Sequence, residues 1–335
     1  MTTVLITGVT GQDGSFLAEQ LLELGYTVFG LVRRSSAPNY WRIQMLLEEP
    51  KFHLVEGDIT DLSSLIRIIS EIKPSVLYNL AAQSFVPTSW TQPTFTAQAT
   101  GIGAVNVYEA CRISSPSTKI YQASSSEMFG LQPVNSKQNE QTTFYPRSPY
   151  ACAKVFAHQM AINYRESHGL FISCGILFNH ESERRGERFV TRKIAKAVAR
   201  ISRGLQSTLA LGRLDTQRDW GFAGDYVDAM VRIMDLDTPN DFVIATGQKH
   251  SVEDFVRTSF EYVGLDWKKF VVKDQRFMRP AEVPSLCGDA SKAKEYLAWS
   301  PTVSFRSLIE RMVESELRNV VDKEKIRTEQ PYNLQ

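Results

Sequence analysis

The chain opens on an uninterrupted β-branched and aliphatic run, Thr3-Val4-Leu5-Ile6-Thr7, which reads as a buried strand. Gly8-Val9-Thr10-Gly11-Gln12-Asp13-Gly14 follows as a turn, and apolar residues return at helical spacing from Ser15 to Leu24, with Gly25 as the stop. Tyr26 to Val32 is a second strand, so strand, glycine turn, helix and strand make one βαβ unit. The pattern repeats. Phe52–Glu56 is a strand ending in the turn Gly57-Asp58-Ile59-Thr60-Asp61, a helix spans about 62–72, and Ser75 to Leu80 is a strand ending in Ala81-Ala82-Gln83-Ser84. A helix is predicted from Gly101 to Arg112, a strand from Lys119 to Ala123, and a long helix from Tyr150.

Alternating strands and helices predict an α/β fold, a Rossmann-type doubly wound parallel sheet. Past residue 170 the rhythm loosens: Phe171–Leu177 is a strand, 178–188 is polar and irregular, helices are predicted over 191–204, from Asp225 and over 304–321, and 251–263 and a charged stretch around Arg279 complete the C-terminal part. The expected organisation is a dinucleotide-binding domain over 1–170, which later segments can rejoin, an interleaved α/β substrate lobe over 171–325, and a charged tail over 326–335.

Composition narrows the partners. Thirty-eight Lys and Arg against 37 Asp and Glu give a net charge of +1, which offers nothing to nucleic acid or an anionic membrane. Four scattered cysteines fit a reducing compartment, and five histidines without metal-ligand spacing argue against zinc. With no 18-residue apolar run and no basic leader before the first strand, a cytoplasmic protein without a membrane span is expected.

Gly8, Gly11 and Gly14 sit where a βαβ turn needs a tight bend, close approach to a pyrophosphate and close helix–strand contact. The helix N-terminus then offers free N–H groups to phosphate. The second strand ends in Arg33, Arg34 and Ser35 rather than a carboxylate, a choice that suits the 2′-phosphate of NADP over the ribose of NAD. Asp58 and Ile59 mark an adenine-contacting turn, and the small residues after Leu80 let a ligand approach the backbone.

Tyr150 and Lys154 stand four residues apart and share a helix face, so the ammonium is expected to lower the phenol's pKa towards proton-transfer chemistry. Alone, such a pair is more often ordinary surface. Ser125 and Glu127, at the carboxyl end of a predicted strand, project to the same side and add a hydroxyl and a carboxylate.

Thr7-Gly8-x-x-Gly11-x-x-Gly14, Ser125 and Tyr150-x-x-x-Lys154 together resemble the extended short-chain dehydrogenase/reductase family. Gly11-Gln12-Asp13-Gly14, Arg33-Arg34-Ser35, Asn79 to Ser84, Tyr145 to Tyr150, Gly175 to Ser182, Phe189 to Lys193, Arg218-Asp219-Trp220-Gly221 and Arg279 to Val283 narrow this. In that order they resemble its GDP-mannose 4,6-dehydratase branch over nearly the whole chain. The resemblance implies catalytic Ser125, Glu127, Tyr150 and Lys154, with Glu127 working on the sugar C5 proton. It implies NADP contacts at Gly8, Gly11, Gln12, Asp13, Gly14, Arg33, Arg34, Ser35, Asp58, Ile59, Leu80, Ala81, Ala82, Ser84, Tyr150 and Lys154. GDP-sugar contacts are implied at Gln83, Ser84, Glu127, Asn179, Val190, Lys193, Arg218, Arg279 and Glu282. A homodimer or homotetramer is implied, and no metal. The chain departs from the family at Ser125, usually Thr, at Pro284, usually Asp, and at Glu183, usually Pro. A reductase or epimerase on the same fold, a dehydratase of another manno-configured sugar, and a silent dinucleotide-binding protein stay open as alternatives.

Overall fold

The computed structural model describes residues 2–133, 135–278 and 280–329, the last nine by backbone alone. Seven parallel strands form one sheet in the order Asp241–Ile244, Ile172–Leu177, Lys119–Ser125, Val76–Asn79, Thr3–Thr7, Thr27–Val32, Phe52–Glu56. The winding direction reverses between Thr3–Thr7 and Val76–Asn79, where Thr7 lies opposite Asn79. Connections diverge at such a switch point and leave a crevice at the strands' carboxyl ends.

Successive side chains along a strand face opposite ways. Val4 and Ile6 join Leu17, Leu21 and Met230 under the helices Gln12–Glu23 and Ala223–Met234. Leu5 joins Leu65, Val107 and Ala161 under Leu62–Ile72, Gly103–Ser114 and Pro149–His168. Both faces are covered, which is why the strands read as apolar runs without alternation. Leu5 and Leu17 are fully buried, and such a side chain stabilises the fold by about 1.5–3 kcal/mol.

A separate core of Ile194, Val198, Trp220, Phe255, Leu308 and Met312 lies among Val190–Ser202, Val252–Tyr262 and Phe305–Glu329. Asp219 ties this lobe to the sheet. Fully buried, it accepts hydrogen bonds from Thr246 N and Gly247 N at 2.8 Å each, from Thr246 Oγ1 at 2.6 Å and from Gly288 N at 3.2 Å.

Two helices differ from the pattern. The first begins at Gln12 rather than Ser15 and takes Gly14 into its first turn. The last runs to Glu329, past its expected end at Val321. Residues 322–329 hold neither Gly nor Pro and are rich in Lys, Glu and Arg, so nothing local stops the helix. The rest of the expected tail, 330–335, lies outside the described residues.

Candidate active site

At the crevice, Gly8 takes φ +75°, and a Cβ there would stand 2.9 Å from Ala81 N, so the turn lies directly on the adjacent strand's exit. A Cβ on Gly14 would meet Gly8 O at 2.4 Å, so only glycine lets the helix start this close to the turn. The N-cap, Gly11, is extended and no side chain caps the helix. Its first N–H groups therefore stay available to an anion.

A buried hydrogen-bonded chain crosses the sheet from here to the long helix. Thr7 Oγ1 donates to Asn79 Oδ1 at 2.7 Å and itself accepts from Leu80 N and Ala81 N at 3.1 Å each. Asn79 Nδ2 donates to Gln122 Oε1 at 2.8 Å, and Gln122 Nε2 donates to Ala123 O at 3.0 Å. Lys154 Nζ donates to that same carbonyl at 2.6 Å. The chain fixes the lysine to the sheet rather than to solvent.

Ser148 caps the helix Pro149–His168 by accepting from Ala151 N at 3.1 Å, which places Tyr150 and Lys154 on its inner face. The Ser125 hydroxyl lies against the Tyr150 phenol, with Glu127 beside them on the short 3₁₀ turn Ser126–Met128. All four residues are buried. Arg218 Nη2 stands 3.9 Å from Glu127 Oε1 and 3.6 Å from Glu282 Oε1, while Arg218 Nη1 donates to Val283 O at 2.8 Å. The sequence expectation that Lys154 acidifies Tyr150 does not hold for the protein by itself. Burial dominates and pushes the phenol up to about 12, with Ser125 and Arg185 pulling down and Glu127 pushing up. The lysine ammonium is 5.9 Å from the Tyr150 ring centre, and burial has lowered its own pKa to about 8.

The sequence matches the model of the GDP-mannose 4,6 dehydratase family over residues 5–312. The chain belongs to the GDP-mannose 4,6-dehydratase family. It is 52% identical to GDP-mannose 4,6 dehydratase 2 of Arabidopsis thaliana, covering 98% of this chain and 90% of that one. It is 46% identical to the Homo sapiens GDP-mannose 4,6 dehydratase, with 93% and 91% covered. Among solved structures, a dTDP-glucose 4,6-dehydratase from Streptomyces venezuelae with NAD bound has the same fold, with a TM-score of 0.85 at 21% identity. Coverage there is 95% of this chain and 98% of that one.

Membership in the dehydratase family directs attention to the segment 178–188, of which Asn179 alone was expected to touch a ligand. Asn179–Glu181 pairs with Trp220–Phe222 and leads a loop back onto the glycine turn. Gln12 Nε2 donates to His180 O at 3.1 Å, Ser182 Oγ donates to Gln12 Oε1 at 2.8 Å, and Asp13 Oδ2 meets His180 Nε2 at 2.9 Å. Arg185 Nε lies 3.0 Å from Glu181 Oε2, and its guanidinium is near enough to act on both Asp13 and Tyr150. His180 and Arg185 thus belong to the site's surroundings. Their signal was tertiary: nothing in the local pattern says that residue 180 reaches residue 13.

Arg33, Arg34 and Ser35 are exposed just past Thr27–Val32, and neither arginine has a hydrogen bond or ion pair among the described residues. Asp58 organises its own turn, accepting from Thr60 N at 2.9 Å, and Asn106 Nδ2 donates to Ile59 O at 2.9 Å. Ala82 is half-buried and Ser84 exposed after the switch-point strand, while Gln83 Nε2 donates to Phe85 O at 3.0 Å. Val190 is exposed at the head of its helix, and Lys193 Nζ donates to Ala210 O at 2.7 Å over the Phe277 ring. Arg279 lies outside the described residues. Of the departures, Glu183 receives Arg311 through two bonds of 2.9 Å, and Pro284 offers its carbonyl to Gln217 N at 2.9 Å.

Proposed function

We propose that the protein converts GDP-D-mannose into GDP-4-keto-6-deoxy-D-mannose and water, using a tightly held NADP that is regenerated in each turnover. The observation that carries this reading is the Glu127 carboxylate, buried beside Ser125 and Tyr150. A simple reductase or epimerase needs the hydroxyl, the phenol and the lysine, but no carboxylate at C5. The glycine turn, the uncapped helix N-terminus and Arg33 and Arg34, unpaired among the described residues, suit a phosphorylated dinucleotide.

A bound nicotinamide would supply a reversible hydride acceptor, and its positive charge would favour the phenolate that burial of Tyr150 opposes in the protein by itself. Tyr150 removes the C4 hydroxyl proton while Ser125 hydrogen-bonds the C4 oxygen. The resulting ketone acidifies C5. Glu127 takes the C5 proton and passes it to the departing C6 hydroxyl, so water leaves and a C5–C6 double bond forms. With hydride returned to C6, a solvent-exchanged proton delivered at C5 balances the one that Tyr150 took from the C4 hydroxyl.

In this reading Gly8, Gly11, Gln12, Asp13, Gly14, Asp58, Ile59, Leu80, Ala81, Ala82 and Ser84 line the cofactor, and Arg33, Arg34 and Ser35 take its 2′-phosphate. Gln83, Asn179, Val190, Lys193, Arg218, Arg279 and Glu282 surround the GDP-sugar. The working form is a cytoplasmic homodimer or homotetramer, supported by exposed Phe95, Ile102 and Phe156 on neighbouring helices. No helix among the described residues is long and apolar enough to cross a membrane.

The test separates the two proton-transfer roles. Tyr150→Phe is expected to abolish reduction of bound cofactor by GDP-mannose. Glu127→Gln keeps that first step, accumulates reduced nicotinamide in a single turnover, admits no solvent deuterium at C5 and loses about 10²–10⁴-fold in overall rate. A Glu127→Gln enzyme turning over at the parental rate would return the reductase or epimerase reading.

A further inference from the structure

Directly behind the reacting groups lies a buried polar cluster with no part in the steps above. Ser124 Oγ and His158 Nδ1 are 2.9 Å apart, both in residues 3% exposed. The Cys174 thiol lies against Ser124 and Asp241, and Asp241 pairs with Arg165 at 2.6 Å. Buried hydroxyls are hydrogen-bonded as a rule, so the contact by itself assigns no role. Three observations go beyond that.

Lys119–Ser125 is held on both sides only as far as Gln122, whose partners are Asn79 on one strand and Cys174 on the other. Ser124 and Ser125 keep partners on one side alone, Ile176 and Leu177. The strand end that carries Ser125 therefore has a backbone ladder on one side only, and its other side is held by side chains. His158 follows Tyr150 and Lys154 at four-residue steps on one helix, so all three face that strand. Lys154 grips Ala123 O, His158 grips Ser124, and the next residue is Ser125. The edge-on contact with Phe144, at 5.3 Å between ring centres, sets the plane of the imidazole.

We propose that His158 is a positioning residue, which through Ser124 fixes the rotation of the strand end and holds the Ser125 hydroxyl in line with Tyr150. One grip on a carbonyl leaves a hinge; a second grip on the following side chain removes it. Burial keeps the imidazole neutral, so a lone pair is available to the Ser124 hydroxyl. The inference rests on the reading of Ser125 and Tyr150 as the groups at the reacting carbon.

His158→Phe keeps the ring against Phe144 and removes the Ser124 partner. His158→Asn puts an amide oxygen close to the Nδ1 position. With full-length enzyme, NADP and GDP-mannose, the single-turnover rate of nicotinamide reduction should fall about 10- to 100-fold in His158→Phe, a cost of misalignment, with KM unchanged. His158→Asn should recover most of the rate. Ser124→Ala should cost as much as His158→Phe, and the double variant no more than either, because one coupling is removed in each case. Ser124→Ala also carries the test should His158→Phe not fold. Parental hydride-transfer rates in His158→Phe or Ser124→Ala, with only a lowered melting temperature, would make the cluster structural and overturn the proposal. Ser125→Ala is the control. If it too reacts at the parental rate, the reading of the site itself fails, whereas a slow Ser125→Ala beside a fast His158→Phe overturns this inference alone.

Discussion

Asp13 Oδ2 and His180 Nε2 meet at 2.9 Å across 167 residues of chain, so the glycine turn is latched by the segment leading into the second lobe. Burial opposes charge on both, yet each favours the other's charged form. Asp13 is held down to about 2, and His180 is raised above its ordinary 6.5. Asp13 therefore contributes stability above its ordinary 3.8 and loses it as pH falls towards 2. His180 contributes fully below 6.5 and loses it as pH rises through its raised folded value. Asp13→Asn is expected to destabilise the fold by about 1–3 kcal/mol near pH 5.5 and by less near pH 9. Urea unfolding at both pH values checks this; an equal loss at both would mean that His180 is not a charged partner.

Lys154 presents the opposite sign. Burial lowers its pKa from 10.5 to about 8, so the folded state gives up the proton more readily than the unfolded one. Its charge is a penalty that is relieved as pH rises from 8 towards 10.5. Lys154→Met should stabilise the protein at pH 7 by about 1–2 kcal/mol while abolishing activity, the usual tension between a strained site and a stable one. Ala123 O is not orphaned in that variant, because Gln122 Nε2 still donates to it. Thermal unfolding at pH 7 decides, and a lower midpoint would show that the ammonium is a net stabiliser.

Gly14→Ala sets a methyl against backbone. Gly8 O at 2.4 Å and Val9 Cα at 2.7 Å cannot rotate away, so the helix must shift from the turn. A loss of about 1–3 kcal/mol is expected, with weakened cofactor binding. Gly204→Ala is the comparison: φ is +69° but nothing lies within 4 Å, so only about 1–2 kcal/mol of left-handed strain is expected and binding should be untouched. Equal cofactor affinity in both variants would remove the turn from the binding site.

Arg33 and Arg34 are exposed and unpaired among the described residues, so removing them should cost the fold little. Charge-assisted bonds to a phosphate contribute about 1.5–3 kcal/mol, or roughly 10- to 150-fold in affinity. Arg33→Ala with Arg34→Ala should weaken NADP by that factor and leave NAD nearly unchanged in a binding titration. An equal fall for both cofactors would make the arginines structural.

By itself the sequence determined the sheet's strands from Thr3 to Leu177 but not Asp241–Ile244, and it determined the glycine turn, the start of the helix that carries Tyr150 and Lys154, and the grouping of Ser125 with Glu127. Each depends on residues close in the chain, where period, capping and glycine geometry act over a few residues. It did not determine that the first helix begins at Gln12, because Gly14 looks like turn until the 2.4 Å approach to Gly8 O shows why a helix needs it there. Nor could spacing show that Lys154 is bound to Ala123 O and that burial raises Tyr150, since desolvation depends on everything packed around a group. The tertiary structure also decided that His180 latches Asp13, that Arg218 stands between Glu127 and Glu282, and that His158 reaches Ser124. These contacts join distant segments, and their partners are set by how helices and strands stack rather than by any local preference of the chain.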